Sequence, residues 1–258
     1  MRNCKQPSDT ISLSTKLVQG YSFFFKSASM SQLSHIVETS SPNKKVLSGR
    51  PFPRSSRCAC LSLIDDNIGR ILEALQKKGI EDDTLIMFTN DHGELLGDHG
   101  LLFKGPFLYD CLIKAPMIMK WNNVIPKGAR FKQLTQHVDI MPTLLDYAGV
   151  RSPYGVQGMS MSPILHGDMG GGRGYALTEF NCYDWGLNLK AITTNDYKLV
   201  YYAHERFGEL YDRNADPNEF VNLWNTEEYQ PVKQELLKQL LDRVIETEDV
   251  LPLRIGEY

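Results

Sequence analysis

The chain has 258 residues, 42% of them hydrophobic and 23% charged, so it is long enough to bury a substantial core. Its formal net charge of -3 gives no global attraction to nucleic acid or to an anionic membrane, so we expect neither partner. No apolar stretch reaches the length of a membrane span, and the N-terminus lacks the pattern of a signal peptide. We therefore expect a soluble, cytoplasmic protein. Its five cysteines form no zinc-type double pair.

The N-terminal segment, residues 1–57, differs in composition and patterning from the rest of the chain. It is rich in Ser, Lys and Pro and keeps neither helix nor strand period, so we expect it to be poorly ordered or unrelated to the rest. The next segment predicts an amphipathic helix that ends at Lys77-Lys78-Gly79, where cations and a glycine suit a helix C-terminus. Its predicted apolar face consists of Ile64, Ile68, Ile71, Leu72 and Leu75.

A short apolar run, Thr84–Thr89, comes after a polar turn and predicts a strand that is buried on both faces of a parallel sheet. Asn90, Asp91, His92 and Gly93 come directly after it. Ligands of open α/β sheets gather outside the carboxyl ends of strands. The sequence therefore places these polar residues where chemistry is expected.

The remaining elements predict two regions. A strand at Pro116–Trp121 and a helix at 139–149, capped by Asp139, complete an α/β region over residues 58–169. A glycine-rich connector, Gly170–Gly174, separates it from a smaller α+β subdomain over residues 175–258. That subdomain is predicted to contain an antiparallel sheet and a terminal helix, with strands at 176–180, 189–194, 197–203 and 208–212 and the helix at 227–248.

Asp91 and His92 offer a carboxylate and an imidazole on one turn, a combination that can bind a divalent cation. Lys104 can reach the same place if the loop between them folds back, and a lysine beside a cation can stabilise an oxyanion. Taken singly, each feature is more often structural, as a turn with an incidental histidine or a solvated lysine. His99, in a second Asp-His-Gly triplet, is interpreted as a structural residue of the loop.

The combination is more specific, because the chain resembles the sulfatase family of the alkaline phosphatase-like superfamily. The resemblance covers about residues 58–255 and rests on NDHGELLGDHGLLFKGPFLYD, QHVDIMPTLLDYAGV, AITTNDYKLVYY and GELYDRNADPNEFVNL. It implies an incomplete alkaline phosphatase-like α/β sandwich with a mainly parallel sheet. Asp91 and His92 would bind the metal, and Lys104 would contact the sulfate or phosphonate. The implied metal is Ca²⁺ in a sulfatase and Mn²⁺ or a similar ion in a phosphonate hydrolase.

Family members attack with a formylglycine made from the cysteine of a Cys-x-Pro-Ser-Arg motif, and no cysteine of this sequence lies in that motif. Losing a covalent nucleophile costs on the order of 10⁴–10⁶ in turnover, so we expect weak or no activity from this chain alone. Three functions are compatible with the resemblance. The first is hydrolysis of small sulfuric esters, as by arylsulfatases and choline-sulfatases. The alternatives are a phosphonate monoester or phosphodiester hydrolase and a non-catalytic sulfatase-like binding protein.

Overall fold

The computed structural model describes residues 54–168, 170–182 and 186–248. They form two compact units. The first contains the described residues up to Phe103 together with Lys114–Ala129, and the second contains Lys104–Ile113 together with the described residues from Arg130 onward. Residues 1–53 of the predicted N-terminal segment lie outside the described residues. None of the described helices combines the length and apolar content needed to cross a lipid bilayer.

The first unit begins with helix α1, Arg54–Lys78, whose start lies within the segment predicted to be poorly ordered. Its end is as predicted: Gly79 has a φ of 66°, and its N–H donates to Gln76 O while Ile80 N–H donates to Leu75 O. The apolar face is narrower than predicted. Leu72 is buried with Ile86 between Ile68 and Leu75, whereas Ile64 and Ile71 are each 51% exposed. Only a narrow stripe of the helix therefore contacts the described strands.

Strand β1, Ile86–Thr89, pairs with β2, Met117–Lys120. The run Thr84–Met87 is fully buried, as predicted for a strand covered on both faces. The pairing, however, is antiparallel, with Ile86 opposite Lys120 and Thr89 opposite Met117. A parallel partner needs a crossover of a dozen or more residues, usually a helix. The connection from β1 to β2 contains one short 3₁₀ turn and a four-residue helix, and no long crossover helix.

The helical part of the second unit contains α2, Asp110–Ile113, α3, Ile140–Tyr147, and α4, Ser162–Leu165. Asp139 does not cap α3 with its side chain, contrary to the sequence prediction. Its carboxylate instead accepts hydrogen bonds from the Gln136 and Met159 backbone N–H groups and forms a buried ion pair with Arg173. Arg173 belongs to the glycine-rich connector, so this ion pair joins the connector to the residue that precedes α3.

The sheet of the second unit has four strands that lie side by side in chain order, and all neighbouring strands are antiparallel, which agrees with the prediction. Helix α5, Gln230–Glu246, packs on one face through Leu236 and Leu240, which contact Ile192, Leu199 and Leu210. The other face carries Leu189, Ala191 and Val200, which pack with Leu108 from the segment before α2. The strands comprise β3, Ala176–Cys182, β4, Leu187–Thr193, β5, Tyr197–Tyr202, and β6, Gly208–Asp212.

Candidate functional site

The turn after β1 is organised by side chains that bind its own backbone. Asn90 Nδ2 donates to His92 O at 2.9 Å, and the Asp91 carboxylate accepts the His92 backbone N–H at 2.9 Å. The Asp91 side chain is 85% exposed, and that of His92 is 40% exposed. The turn therefore presents a carboxylate and an imidazole to solvent directly beyond the end of a buried strand.

The orientation of His92 is fixed by one ring nitrogen. Nδ1 lies 2.8 Å from Gly93 O, and a carbonyl can only accept, so Nδ1 carries the proton. In the neutral imidazole Nε2 then presents a lone pair, as metal-binding histidines do when a carbonyl holds the other nitrogen. Nε2 lies 3.5 Å from Asp91 Oδ2. Two ligand atoms bound about 2.1–2.4 Å from one cation, at about a right angle, would be separated by roughly 3.0–3.4 Å.

The pair fits a cation only in part. Divalent ions in proteins take about four to eight ligands, and Asp91 and His92 supply two. Within residues 54–168, 170–182 and 186–248, no third histidine, cysteine, aspartate or glutamate joins them in a metal-binding group. Glu94 is two residues away and has a buried Oε1 without a hydrogen-bond partner, but it does not complete such a group. Asp91 and His92 could therefore supply only part of the ligand set that a divalent ion needs.

The loop after this turn folds back on itself through backbone hydrogen bonds. Leu95 N–H donates to Phe103 O at 3.0 Å, and Gly97 N–H donates to Leu101 O at 2.9 Å. The second Asp-His-Gly triplet forms a 3₁₀ turn at the tip, Asp98–Gly100, where burial raises the pKa of Asp98. Leu96, His99 and Phe103 all have positive φ angles, a costly conformation for residues other than glycine. The backbone bonds therefore hold a strained loop in one conformation.

Lys104 comes directly after this loop and is the first residue of the second unit. Its side chain is exposed. The residues after it are tightly arranged: the rings of Phe107 and Tyr109 stack at 5.7 Å, and Tyr109 lies 6.3 Å from the ring of Tyr211 in β6. Asp91 and His92 belong to the first unit, so the predicted site residues are carried by two units.

A buried charge cluster in the second unit was not predicted from the sequence. Lys198 in β5 is fully buried and forms ion pairs with Asp110 and Glu219. One sequence signal could have indicated it. Lys198 lies in the strand Tyr197–Tyr202, and the next two residues, Leu199 and Val200, are buried on opposite faces of the sheet. A lysine in such a strand is buried as well, so it needs acidic partners from other parts of the chain.

Comparison with known proteins gives two matching family models. The model described as Sulfatase matches residues 14–150, and the model described as N-sulphoglucosamine sulphohydrolase, C-terminal, matches residues 97–246. An N-acetylglucosamine-6-O-sulfatase of Bacteroides thetaiotaomicron is 34% identical over 189 residues, which are 70% of this chain and 34% of that protein.

Two solved structures are also similar. A protein in complex with its substrate D-glucosamine-2-N,6-O-disulfate has a TM-score of 0.69 and 31% identity, over 74% of this chain and 41% of that one. The phosphonate monoester hydrolase of Agrobacterium radiobacter has a TM-score of 0.64 and 31% identity, over 71% of this chain and 39% of that one. The chain thus spans between a third and about two fifths of the length of these relatives. Because the Sulfatase model matches more than half of its residues, the chain belongs to the sulfatase family, within the alkaline phosphatase-like superfamily.

Proposed function

We propose that this chain carries two metal ligands, Asp91 and His92, and the anion-binding lysine, Lys104, of a sulfuric ester hydrolase. The observation that supports this most directly is the His92 ring, held through Nδ1 by Gly93 O so that Nε2 faces the Asp91 carboxylate. Two acceptor atoms 3.5 Å apart repel each other unless a proton or a cation lies between them. The family relationship favours the cation.

Each residue has a distinct role in this proposal. Asp91 and His92 hold a divalent ion, which supplies Lewis-acid stabilisation of a bound sulfate when it is present. Lys104 donates hydrogen bonds to a sulfate oxygen and stabilises negative charge that develops on the leaving oxygen. Small sulfuric esters are the proposed substrates, and Ca²⁺ is the proposed ion.

Hydrolysis of phosphonate monoesters or phosphodiesters is the second candidate. One specific observation favours it: an imidazole ligand suits Mn²⁺ or a similar transition metal better than Ca²⁺, which prefers oxygen. The similarity to the phosphonate monoester hydrolase is in the same range of identity as that to the structure with the sulfated sugar. Sulfate, phosphonate and phosphodiester analogues of one alcohol, tested with each ion, would distinguish the two candidates.

Metal binding can be measured without turnover. We expect the purified chain to bind Mn²⁺ with a Kd of roughly 10⁻⁴–10⁻³ M, since it supplies few ligands. Electron paramagnetic resonance titration should show at least about tenfold weaker binding for His92→Ala and for Asp91→Ala. Asp83→Ala is the matched control, because Asp83 is an exposed acidic residue in the turn before β1. Equal binding by all four proteins would contradict the role of the Asp91-His92 pair.

The role of Lys104 is tested by competitive acetylation of lysines, read by mass spectrometry. Sulfate at ten times its Kd, with Mn²⁺ present, should slow acetylation of Lys104 about tenfold. Lys127, an exposed lysine in a turn, should react at an unchanged rate. A parallel assay with an aryl sulfate compares Lys104→Ala with Lys127→Ala. Turnover that Lys104→Ala leaves intact would refute the proposed role. Sulfate protection without any turnover would favour a binding protein of the same family.

A further inference from the structure

The segment that carries Lys104 is attached to the C-terminal sheet by a charge cluster with no assigned role. Residues Lys104–Ile113 lie in the second unit, although the residues on both sides of them belong to the first. Leu108 is buried against Leu189 and Val200, on the sheet face opposite α5. Ile113 of the same segment also packs against this cluster. Polar contacts hold the segment at the same place.

Lys198 makes those contacts. It lies on the same face of β5 as Val200, and its Nζ donates to Leu108 O at 3.0 Å, lies 2.6 Å from Asp110 Oδ1 and pairs with the Glu219 carboxylate. Lys198 thus contacts three oxygens, one as a hydrogen-bond acceptor and two as ion-pair partners. Two of the three belong to the segment itself. The lysine thus holds the segment by its backbone and by a side chain at once.

The second and third members of the cluster reinforce the same attachment. Glu219 Oε2 accepts the Asp110 backbone N–H at 2.8 Å, and Arg213 donates to Asp110 Oδ2 at 3.3 Å. Two carboxylates are thereby matched by two cations. Burial raises the pKa of Glu219, and the charge of Lys198 opposes that rise. Glu219 also has a φ of 60°, an unfavourable backbone conformation for glutamate. The contacts of the Glu219 side chain therefore offset the cost of its unfavourable backbone conformation.

The link from this cluster to Lys104 is short. Only three residues separate Lys104 from Leu108; Pro106 has a fixed φ, and the Phe107 ring stacks on Tyr109. A displacement of Leu108 and Asp110 would therefore also move the backbone that carries Lys104. A purely stabilising role would not require charge at all, because well-packed apolar residues in place of a buried ion cluster are often equally stable.

We propose that Lys198, together with Asp110 and Glu219, is a positioning residue for Lys104: it fastens the segment 104–113 to the C-terminal sheet and so determines where the Lys104 ammonium is presented. This inference rests on the proposed anion-binding role of Lys104. The attachment itself can be measured independently of that role, so failure of one can be distinguished from failure of the other.

The first measurement uses the unaltered protein. Native-state amide exchange should show Asp110, Leu112 and Ile113 exchanging within about tenfold of the β5 amides. These amides donate to Glu219 Oε2 or to Tyr109 O. Exchange that is several orders of magnitude faster than in β5 would mean that the cluster does not fasten the segment, and would overturn the proposal whatever Lys104 does.

The second measurement uses the neutral triple variant Lys198→Met/Asp110→Asn/Glu219→Gln, which keeps the side-chain sizes and leaves no unmatched charge in the cluster apart from that of Arg213. We expect it to fold, to exchange amides 110–113 at least about tenfold faster, and to keep wild-type exchange in α5. Protection of Lys104 by sulfate should fall from about tenfold to below about twofold, while Lys127 acetylation is unchanged. A folded triple variant with wild-type exchange and sulfate protection would overturn the proposal. Absence of sulfate protection in the wild type, with the exchange pattern as expected, would refute the role of Lys104 and leave the attachment established.

Discussion

We expect the substitution Asp139→Asn to destabilise the second unit, because Asp139 is a buried partner of several groups. The substitution keeps the size of the side chain but removes its charge and one acceptor. Asp139 is 2% exposed, and its two oxygens accept from Gln136 N–H at 2.7 Å and Met159 N–H at 2.8 Å while pairing with the Arg173 guanidinium. Because both oxygens are used, the amide NH₂ of asparagine must face a donor. Arg173 then remains buried without its carboxylate.

Breaking a buried ion pair by removing one partner costs about 3–5 kcal/mol. For a protein of this size that corresponds to a fall in Tm of roughly 6–20 °C. Urea unfolding monitored by far-UV circular dichroism measures the free energy, and amide exchange in α3 shows where protection is lost. Asp146→Asn is the control, because Asp146 is exposed and accepts one hydrogen bond from Ser160 Oγ at 2.7 Å. We expect it to cost less than about 1 kcal/mol. Equal losses for the two variants would refute the reasoning.

Two further predictions concern packing and pH. Gly208→Ala would place a Cβ 2.5 Å from the buried Trp224 ring, so we expect the free energy of unfolding to fall by about 1–3 kcal/mol and the tryptophan fluorescence to change. The control Gly174→Ala, whose Cβ would meet open space, should have the melting temperature of the wild type. Equal melting temperatures for the two variants would contradict this prediction. The hydrogen bond from Lys120 holds the pKa of Glu81 below its ordinary value of 4.5. This contact therefore stabilises the first unit at pH values above 4.5, and the stabilisation is lost as the pH falls through the lowered pKa. The stability difference between wild type and Glu81→Gln should therefore shrink as the pH falls below 4.5. A stability difference that is constant with pH would contradict this prediction.

Elements set by local chemistry were predictable from the sequence. The four strands of the C-terminal sheet alternate or are continuously apolar, and both Gly79 and Gly149 end helices with positive φ angles where the sequence placed them. The family relationship was predictable too, because motifs such as NDHGELLGDHG are contiguous. Each of these features depends on residues within about ten positions of one another.

Features that depend on distant partners could not be predicted in the same way. Lys198 contacts Leu108 across 90 positions, and Asp139 contacts Arg173 across 34. The sequence pattern predicted Asp139 as a helix cap, because an aspartate commonly caps the helix that follows it. In the structure, the buried guanidinium of Arg173 and two backbone N–H groups bind the same carboxylate instead. The antiparallel pairing of β2 with β1 likewise depends on how the long connection between them folds, which no feature of either strand reveals.

The boundary between Phe103 and Lys104 places the proposed metal ligands in the first unit and the proposed anion-binding lysine in the second. Asp91 and His92 are positioned by the end of β1 and by backbone contacts of their own turn. Lys104 begins the segment 104–113, which packs on the C-terminal sheet and forms ion pairs and hydrogen bonds with Lys198 and Glu219. Substitutions far along the chain, in β5 or at residue 219, should therefore alter anion binding by Lys104 without altering metal binding by Asp91 and His92. A C-terminal sheet that only stabilised the fold would affect both together, and titrating Mn²⁺ and sulfate separately on one variant distinguishes these cases.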